Sequence, residues 1–169
     1  QKEAAKTVDR ILQDIQSQGD QALIHYTESF DKYKPEPLDI SQATLRDAWE
    51  GIPINLQAAL QVAYKRIKAF HEEQIPKDLL KEGPHGEKLG RRWQPVQKAG
   101  IYIPGGRASY PSTVLMNAIP AKVAGVKEIS MVSPAGPTGQ INNVVLAAAH
   151  LVGVNKVFRI GGAQAIAAL

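Results

Sequence analysis

Apolar residues in the first half of the chain recur three and four positions apart, which is the spacing of amphipathic helices. One such face predicts a first helix and consists of Val8, Ile11, Leu12 and Ile15. Gly19 then supplies a stop, and a second short helix is predicted from Asp20 to about Phe30. Its inward residues are predicted to be Ala22, Leu23, Tyr26 and Phe30. Pro35 and Pro37 then break the helical pattern.

Helical spacing resumes and continues as far as Pro76. Ser41 is a good N-cap for a third helix, whose inward residues are predicted to be Leu45, Ala48 and Trp49. Pro53 suits the first turn of a longer fourth helix that ends before Pro76. The inward face of this helix has the spacing of a core-facing stripe and consists of Leu56, Leu60, Ala63, Ile67 and Phe70.

After Pro76 the pattern changes to short runs between turns. Glycines and a proline mark turns around short strands near residues 89–95. From residue 100 onward, strands at 100–104, 128–133 and 156–160 alternate with helices at 112–124, at 141–152 and from 163. This βαβαβ order implies parallel strands joined by right-handed crossovers. Pro120 predicts a kink or a local break in its helix.

These patterns predict an α/β fold in two regions. Residues 1–80 are predicted to form a helical N-terminal region, and residues 81–169 a Rossmann-like βαβαβ parallel half-sheet. A three-stranded half-sheet exposes an edge that further strands normally cover. We therefore expect the chain to be marginally stable or prone to aggregate by itself.

Composition narrows the class of protein. The chain is 44% hydrophobic and 21% charged, which is ordinary for a folded globular domain. It has no cysteine, which excludes a disulfide framework, a thiolate zinc site and a cysteine nucleophile within these residues. No apolar run approaches the roughly 20 residues that span a bilayer. We expect a cytoplasmic protein with no membrane partner.

The formal net charge of +4 raises the question of nucleic acid. Lysines and arginines are dispersed along the chain, and the densest group places Trp93 among Lys88, Arg91, Arg92 and Lys98. An aromatic ring among cations can stack on bases, but a solvated strand pair with ordinary surface charge explains the same residues more simply. We expect no nucleic-acid partner.

Two glycine-bearing turns, at residues 100–106 and 159–164, each follow a β-branched run and open onto a helix. Ligands of open parallel sheets bind beyond the carboxyl ends of the strands, where both turns lie. Ser112 or Thr113 is predicted to cap the helix after the first turn. The second turn leads into a helix N-terminus that favours an anion, such as a dinucleotide pyrophosphate. Because neither turn contains Gly-x-Gly-x-x-Gly, a purely structural role for the glycines is the simpler alternative.

Two polar side chains accompany these turns. Tyr102 is predicted to face the opposite layer from Ile101 and Ile103, where its phenol either borders a cleft or packs in the core. Gln164, in the first turn of the last helix, either grips a carboxamide or a ribose or faces solvent. The residues alone leave these alternatives open.

Candidate catalytic groups and metal ligands are not evident. The histidines are far apart in sequence, and none is paired four residues from another: His25, His71, His85 and His150. Glu72 and Glu73 diverge by about 100° on a helix, so the two carboxylates do not face one substrate. No catalytic residue and no metal ligand is therefore assigned to this chain.

Two long segments of the chain are distinctive. They are AGIYIPGGRASYPSTVLMNAIPAKVAGV, residues 99–126, and RIGGAQAIAAL, residues 159–169. Both segments closely resemble the histidinol dehydrogenases. FHEEQIP, residues 70–76, is similar to the same family's helix before its sheet. The resemblance covers essentially the whole chain and implies the N-terminal portion of a longer enzyme.

The resemblance implies an activity, cofactors and site residues. That family oxidises L-histidinol through L-histidinal to L-histidine with two molecules of NAD, in the last two steps of histidine biosynthesis. Its members are zinc-dependent homodimers, and their architecture is like that of aldehyde dehydrogenases. The resemblance places Tyr102 and Gln164 in contact with NAD. The same cleft would be shaped by Gly105, Gly106, Gly161 and Gly162.

The resemblance also implies that the zinc ligands and general bases lie beyond Leu169. Residues 81–169 would then be an incomplete NAD-binding domain, and the 169-residue chain alone would be inactive. A free-standing, non-catalytic nucleotide-binding or dimerisation module is the alternative hypothesis. An aldehyde-dehydrogenase-type enzyme is disfavoured because the chain offers no cysteine nucleophile.

Overall fold

A computed structural model describes residues 2–105 and 109–169 of the chain. The helices are α1 (Lys2–Gln18), α2 (Asp20–Asp31), α3 (Gln42–Gly51), α4 (Ile54–Glu72), α5 (Pro111–Val123), α6 (Asn143–Val152) and α7 (Gly162–Ala168). The strands are β1 (Asp39–Ile40), β2 (Leu79–Glu82), β3 (Lys88–Arg91), β4 (Lys98–Tyr102), β5 (Glu128–Val132) and β6 (Lys156–Phe158). A 3-10 turn, Gly136–Thr138, lies between β5 and α6.

Four of the strands form one sheet in the order β1-β6-β5-β4. β4, β5 and β6 run parallel, with Ile101 opposite Met131 and Met131 opposite Val157. Because α5 and α6 connect these strands, the predicted α/β fold and its βαβαβ unit are confirmed. β1 adds an antiparallel pair that places Asp39 opposite Phe158. The sequence pattern did not predict β1, because two residues are too few to show a period.

Helices cover both faces of this sheet. Ile101 and Ile103 point into one core, which α3, α4, α5 and α6 complete. Tyr102 packs against the other core, where Val132 meets residues of α1, α2 and α7. The predicted alternation along β4 is therefore confirmed. Both cores combine residues from 1–80 with residues from 81–169, and a domain boundary near residue 80 stays a prediction.

The predicted inward faces of three helices are partly wrong. In α1 the exposed fractions of Val8 and Leu12 are 39% and 41%, while Ile11 and Ile15 are buried. α1 packs mainly against α2 and α7, so only a narrow strip of its apolar face is covered. Phe30 and Phe70, in the last turns of α2 and α4, are also exposed. Helical spacing gives the direction of a side chain, but not how far along the helix its neighbours reach.

Two local predictions about prolines and caps have different outcomes. Ser41 is confirmed as the N-cap of α3, and its hydroxyl accepts a hydrogen bond from Thr44 N at 3.1 Å. Of the predicted kink or local break at Pro120, the break is wrong, because α5 continues through Pro120 to Val123, and the kink stays a prediction. A proline removes only its own N–H, and the Pro120 carbonyl still accepts from Ala124 N at 2.9 Å.

Strands β2 and β3 form a separate antiparallel hairpin. All eight of its strand residues are exposed, including Leu80 and Leu89. The strands were predicted near residues 89–95, but the structure places them at 79–82 and 88–91. Trp93 follows the hairpin, and the Arg91 guanidinium lies 5.1 Å from the centre of its ring. The predicted group of cations around Trp93 is thus solvated surface.

Among the described residues, none of the helices combines the length and the apolar content needed to cross a membrane.

Candidate functional site

The carboxyl ends of β4, β5 and β6 meet around one residue, Pro134. A Cβ atom on Gly105 would lie 2.4 Å from the Pro134 carbonyl oxygen, and one on Gly161 would lie 2.5 Å from Pro134 Cγ. Both distances are too short for any side chain, so these glycines allow the turns to pack on either side of Pro134. Sequence reasoning missed Pro134, although a proline directly after a predicted strand marks the end of that strand.

A cleft of about 740 Å³ opens at the same edge of the sheet, beside the start of α6. We call it the strand-end cleft, and the residues that define it include Gly105, Ser109, Ser133, Pro134, Thr138 and Asn142. Its volume is within the range of small-molecule sites. Asn142 caps α6 by accepting from Val144 N at 2.9 Å. The cleft therefore combines backbone turns, two serines and a helix N-terminus, a set suited to a polar ligand.

The predicted residues Tyr102 and Gln164 come together at the start of α7. The Tyr102 hydroxyl accepts a hydrogen bond from Gly162 N at 3.1 Å. Gly162 has φ +67°, and a Cβ atom there would lie 2.5 Å from Gln164 Oε1. We call Tyr102, Gly162 and Gln164 the α7 cluster. The two side chains that the sequence singled out, 62 positions apart, thus share one backbone turn.

Gln164 is buried, with 1% of its surface exposed. Its Oε1 atom is covered and has no hydrogen-bond partner among the described residues. A buried acceptor without a donor costs about 1–3 kcal/mol, so such an atom is unusual in a structural role. Of the two alternatives that the sequence left open for Gln164, the solvent-facing one is wrong.

The α7 cluster and the strand-end cleft are adjacent but not the same. In the part of the chain that the structure describes, neither Tyr102 nor Gln164 lines the cleft. Pro134 joins them, since it borders the cleft and packs against Gly161, the N-cap of α7. The structure therefore brings Gly105 and Gly161 of the two predicted turns together at Pro134, which lies between the cleft and the start of α7.

Two sequence predictions for the first turn, the cap of α5 and the role of Gly106, are not confirmed. The cap of α5 is Tyr110, followed by Pro111 at the first helical position, so Ser112 and Thr113 are inside the helix and do not cap it. A proline at this position needs no N–H partner, which removes part of the need for a capping side chain. Gly106, predicted to shape the cleft, lies outside the described residues.

Titratable groups with shifted pKa values lie away from the cleft. Lys156 donates a hydrogen bond to Glu128 at 3.2 Å, and with Lys98 it lowers the pKa of the Glu128 carboxyl. These residues are at the amino ends of the strands, opposite the cleft. Burial raises the pKa of Asp31 at the end of α2. Across residues 2–105 and 109–169, no three histidine, aspartate or glutamate side chains cluster as metal ligands.

The parallel sheet with helices on both faces makes this an α/β protein, a class whose ligands bind beyond the carboxyl ends of the strands. The family model described as histidinol dehydrogenase matches residues 1–169. The chain belongs to the histidinol dehydrogenase family.

Individual relatives agree with this family. The chain is similar to the histidinol dehydrogenase of Prochlorococcus marinus strain MIT 9313, with 64% identity over 100% of this chain and 38% of the relative. It is also similar to the histidinol dehydrogenase of Neisseria meningitidis serogroup A, with 48% identity over 99% of this chain and 39% of the relative. The chain thus spans well under half the length of the curated relatives it matches.

A solved structure has the same fold over nearly all of the chain. The crystal structure of histidinol dehydrogenase from Elizabethkingia anophelis matches with a TM-score of 0.91 and 36% identity, covering 97% of this chain and 38% of that one. The resemblance drawn from residues 99–126 and 159–169 is confirmed.

Proposed function

We propose that this chain is the N-terminal part of an NAD-dependent histidinol dehydrogenase and forms one wall of its NAD site. The longer protein would oxidise L-histidinol through L-histidinal to L-histidine with two molecules of NAD, in histidine biosynthesis. It would do so as a cytoplasmic homodimer. The family membership supports the activity. The observation that carries the site is the buried, unpartnered Gln164 Oε1 in the α7 cluster.

The residues of the α7 cluster suit a nicotinamide dinucleotide. Gln164 Oε1 lacks a donor, and the amide or hydroxyl groups of NAD are donors of the kind it needs. Tyr102 holds the backbone of Gly162 and presents an aromatic ring beside it. Because Gln164 is covered in this conformation, a ligand can contact its side chain only if the turn at Gly161–Gly162 changes conformation and exposes it. When bound, NAD supplies a hydride acceptor, and the role of this chain is to position it.

Zinc does not fit the residues of this chain. The described residues contain no cluster of three ligating side chains, and the chain has no cysteine. We therefore derive no catalytic step through a metal here. The zinc ligands and the general bases are proposed to belong to the rest of the protein, which makes the 169-residue chain inactive by itself.

Steady-state kinetics of the longer protein test this proposal. Gln164→Leu removes the unpartnered acceptor and keeps the volume of the side chain. Loss of one ligand hydrogen bond is worth about 0.5–1.5 kcal/mol, so the KM for NAD is expected to rise roughly 2- to 10-fold. Tyr64→Phe is the control, because Tyr64 packs against the opposite core. An unchanged KM for NAD in Gln164→Leu, with L-histidinol oxidation still measurable, would contradict the proposed contact.

A further inference from the structure

Arg159 follows β6, and its side chain turns back toward the N-terminal segment of the chain. Its backbone N–H donates to the Leu38 carbonyl at 3.0 Å, next to the β1–β6 pairing. Its Nη2 atom donates to the Pro37 carbonyl at 2.7 Å, and its Nη1 atom donates to the Gly139 carbonyl at 3.5 Å. Among the described residues, no carboxylate forms an ion pair with this guanidinium. The Arg159 guanidinium instead donates to two backbone carbonyls from distant parts of the chain.

Tyr33 completes this arrangement. The Arg159 guanidinium carbon lies 5.9 Å from the centre of the Tyr33 ring, within the range of a cation–π contact. The same ring presses against Gly139, where a Cβ atom would lie 2.2 Å from Tyr33 Cε2. Gly139 also has φ +67°, a conformation that side chains disfavour. Arg159, Tyr33 and Gly139 thus fit together in a way that tolerates little change at any of the three.

Gly139 connects this arrangement to the strand-end cleft. It ends the 3-10 turn Gly136–Thr138, and Gly136 and Thr138 line the cleft. On its other side, Arg159 binds the segment before β1, where its side chain donates to the Pro37 carbonyl and its backbone N–H donates to the Leu38 carbonyl. Movement of the turn relative to that segment would change the shape of the cleft, and Arg159 bonds to both.

We propose that Arg159 is a positioning residue that fixes the 136–139 wall of the strand-end cleft to the segment 33–38. A guanidinium is suited to this because its planar fork donates in two directions while its face stacks on an aromatic ring. A lysine offers a point charge that reaches one carbonyl and stacks less well. That the cleft takes part in NAD binding rests on the proposed function, which places NAD at the adjacent α7 cluster, whereas the attachment of the wall does not.

Hydrogen exchange by mass spectrometry on the ligand-free longer protein tests the attachment. Arg159→Met keeps the stem and removes the donors, and exchange in peptides covering 33–38 and 136–141 is expected to be roughly 3- to 10-fold faster. Arg159→Lys is expected to fall between the wild type and Arg159→Met. Lys156→Met is the control, because Lys156 is an exposed cation at the start of β6, the strand that Arg159 follows, and pairs with Glu128 at the other end of the sheet.

The KM for NAD separates positioning from general stability. In Arg159→Met it is expected to rise roughly 3- to 10-fold, with kcat within about twofold. Unchanged exchange in 136–141, or an equal rise of exchange in α4, would overturn the attachment. Faster exchange confined to the two segments with an unchanged KM for NAD would support the attachment and count against the cleft as an NAD site.

Discussion

Alanine at Gly162 is expected to disturb the α7 cluster in two separable ways. The first is backbone strain, because Gly162 has φ +67° and an L residue in this left-handed conformation costs about 1–2 kcal/mol. The second is the added Cβ, which would lie 2.5 Å from Gln164 Oε1. The Gln164 side chain would have to leave its rotamer, at a further cost of about 0.5–1.5 kcal/mol. The expected loss of unfolding free energy is therefore roughly 1.5–3.5 kcal/mol.

Gly153→Ala is the matched control for this substitution. Gly153 has φ +76°, but a Cβ atom there meets nothing within 4 Å. It shares the backbone strain with Gly162 and lacks the contact with Gln164, so its expected cost is about 1–2 kcal/mol. The difference between the two variants measures the displacement of Gln164.

Two assays read this difference. Urea unfolding, followed by circular dichroism, gives the loss of stability for each variant. Steady-state kinetics of the longer protein gives the KM for NAD, which is expected to rise in Gly162→Ala and to stay unchanged in Gly153→Ala. Equal destabilisation of the two variants, together with an unchanged KM for NAD in both, would refute the role assigned to the α7 cluster.

Three further predictions concern the strand ends, pH and the chain by itself. Gly105→Ala is expected to cost about 1–3 kcal/mol in urea unfolding, because its Cβ would lie 2.4 Å from the Pro134 carbonyl, whereas Gly51→Ala, which meets nothing, is expected not to destabilise. The hydrogen bond from Lys156 lowers the pKa of the Glu128 carboxyl. The stabilisation from this pair is therefore present above the ordinary pKa of a glutamate and is lost as the pH falls through the lowered pKa of Glu128. In urea unfolding, Glu128→Gln should unfold more easily than the wild type near neutral pH and as easily as the wild type in strong acid. The purified 169-residue chain is expected to reduce no NAD with L-histidinol, as followed by NADH absorbance, and measurable turnover would show that the catalytic groups are within it.

Much of the fold could be predicted because its elements carry clear periods. The strands that became β4, β5 and β6 are apolar runs bounded by turns, and the alternation along β4 placed Tyr102 on the face opposite Ile101. β1 could not be predicted, since it exists only through pairing with β6. Phe70 was predicted inward but is 61% exposed, because periodicity does not report where a neighbouring helix ends.

The candidate site was only partly predictable for a similar reason. Residues flanking the glycine turns pointed to Tyr102 and Gln164, but Gln164 is buried in the folded chain, where α7 packs against α1 and α2. That packing joins residues more than 100 positions apart. The contacts of Pro134 with Gly105 and Gly161, and of Arg159 with Gly139, join residues 20 to 29 positions apart, and Arg159 reaches Pro37 across 122 positions. No local pattern carries such information.

A crystal structure of the longer protein grown with NAD tests the central claim most directly. The account predicts NAD at the carboxyl ends of β4 and β6, with one of its polar atoms within hydrogen-bond distance of the Gln164 side chain and the Tyr102 ring beside it. NAD bound elsewhere, with Gln164 Oε1 still covered and unpartnered, would contradict it.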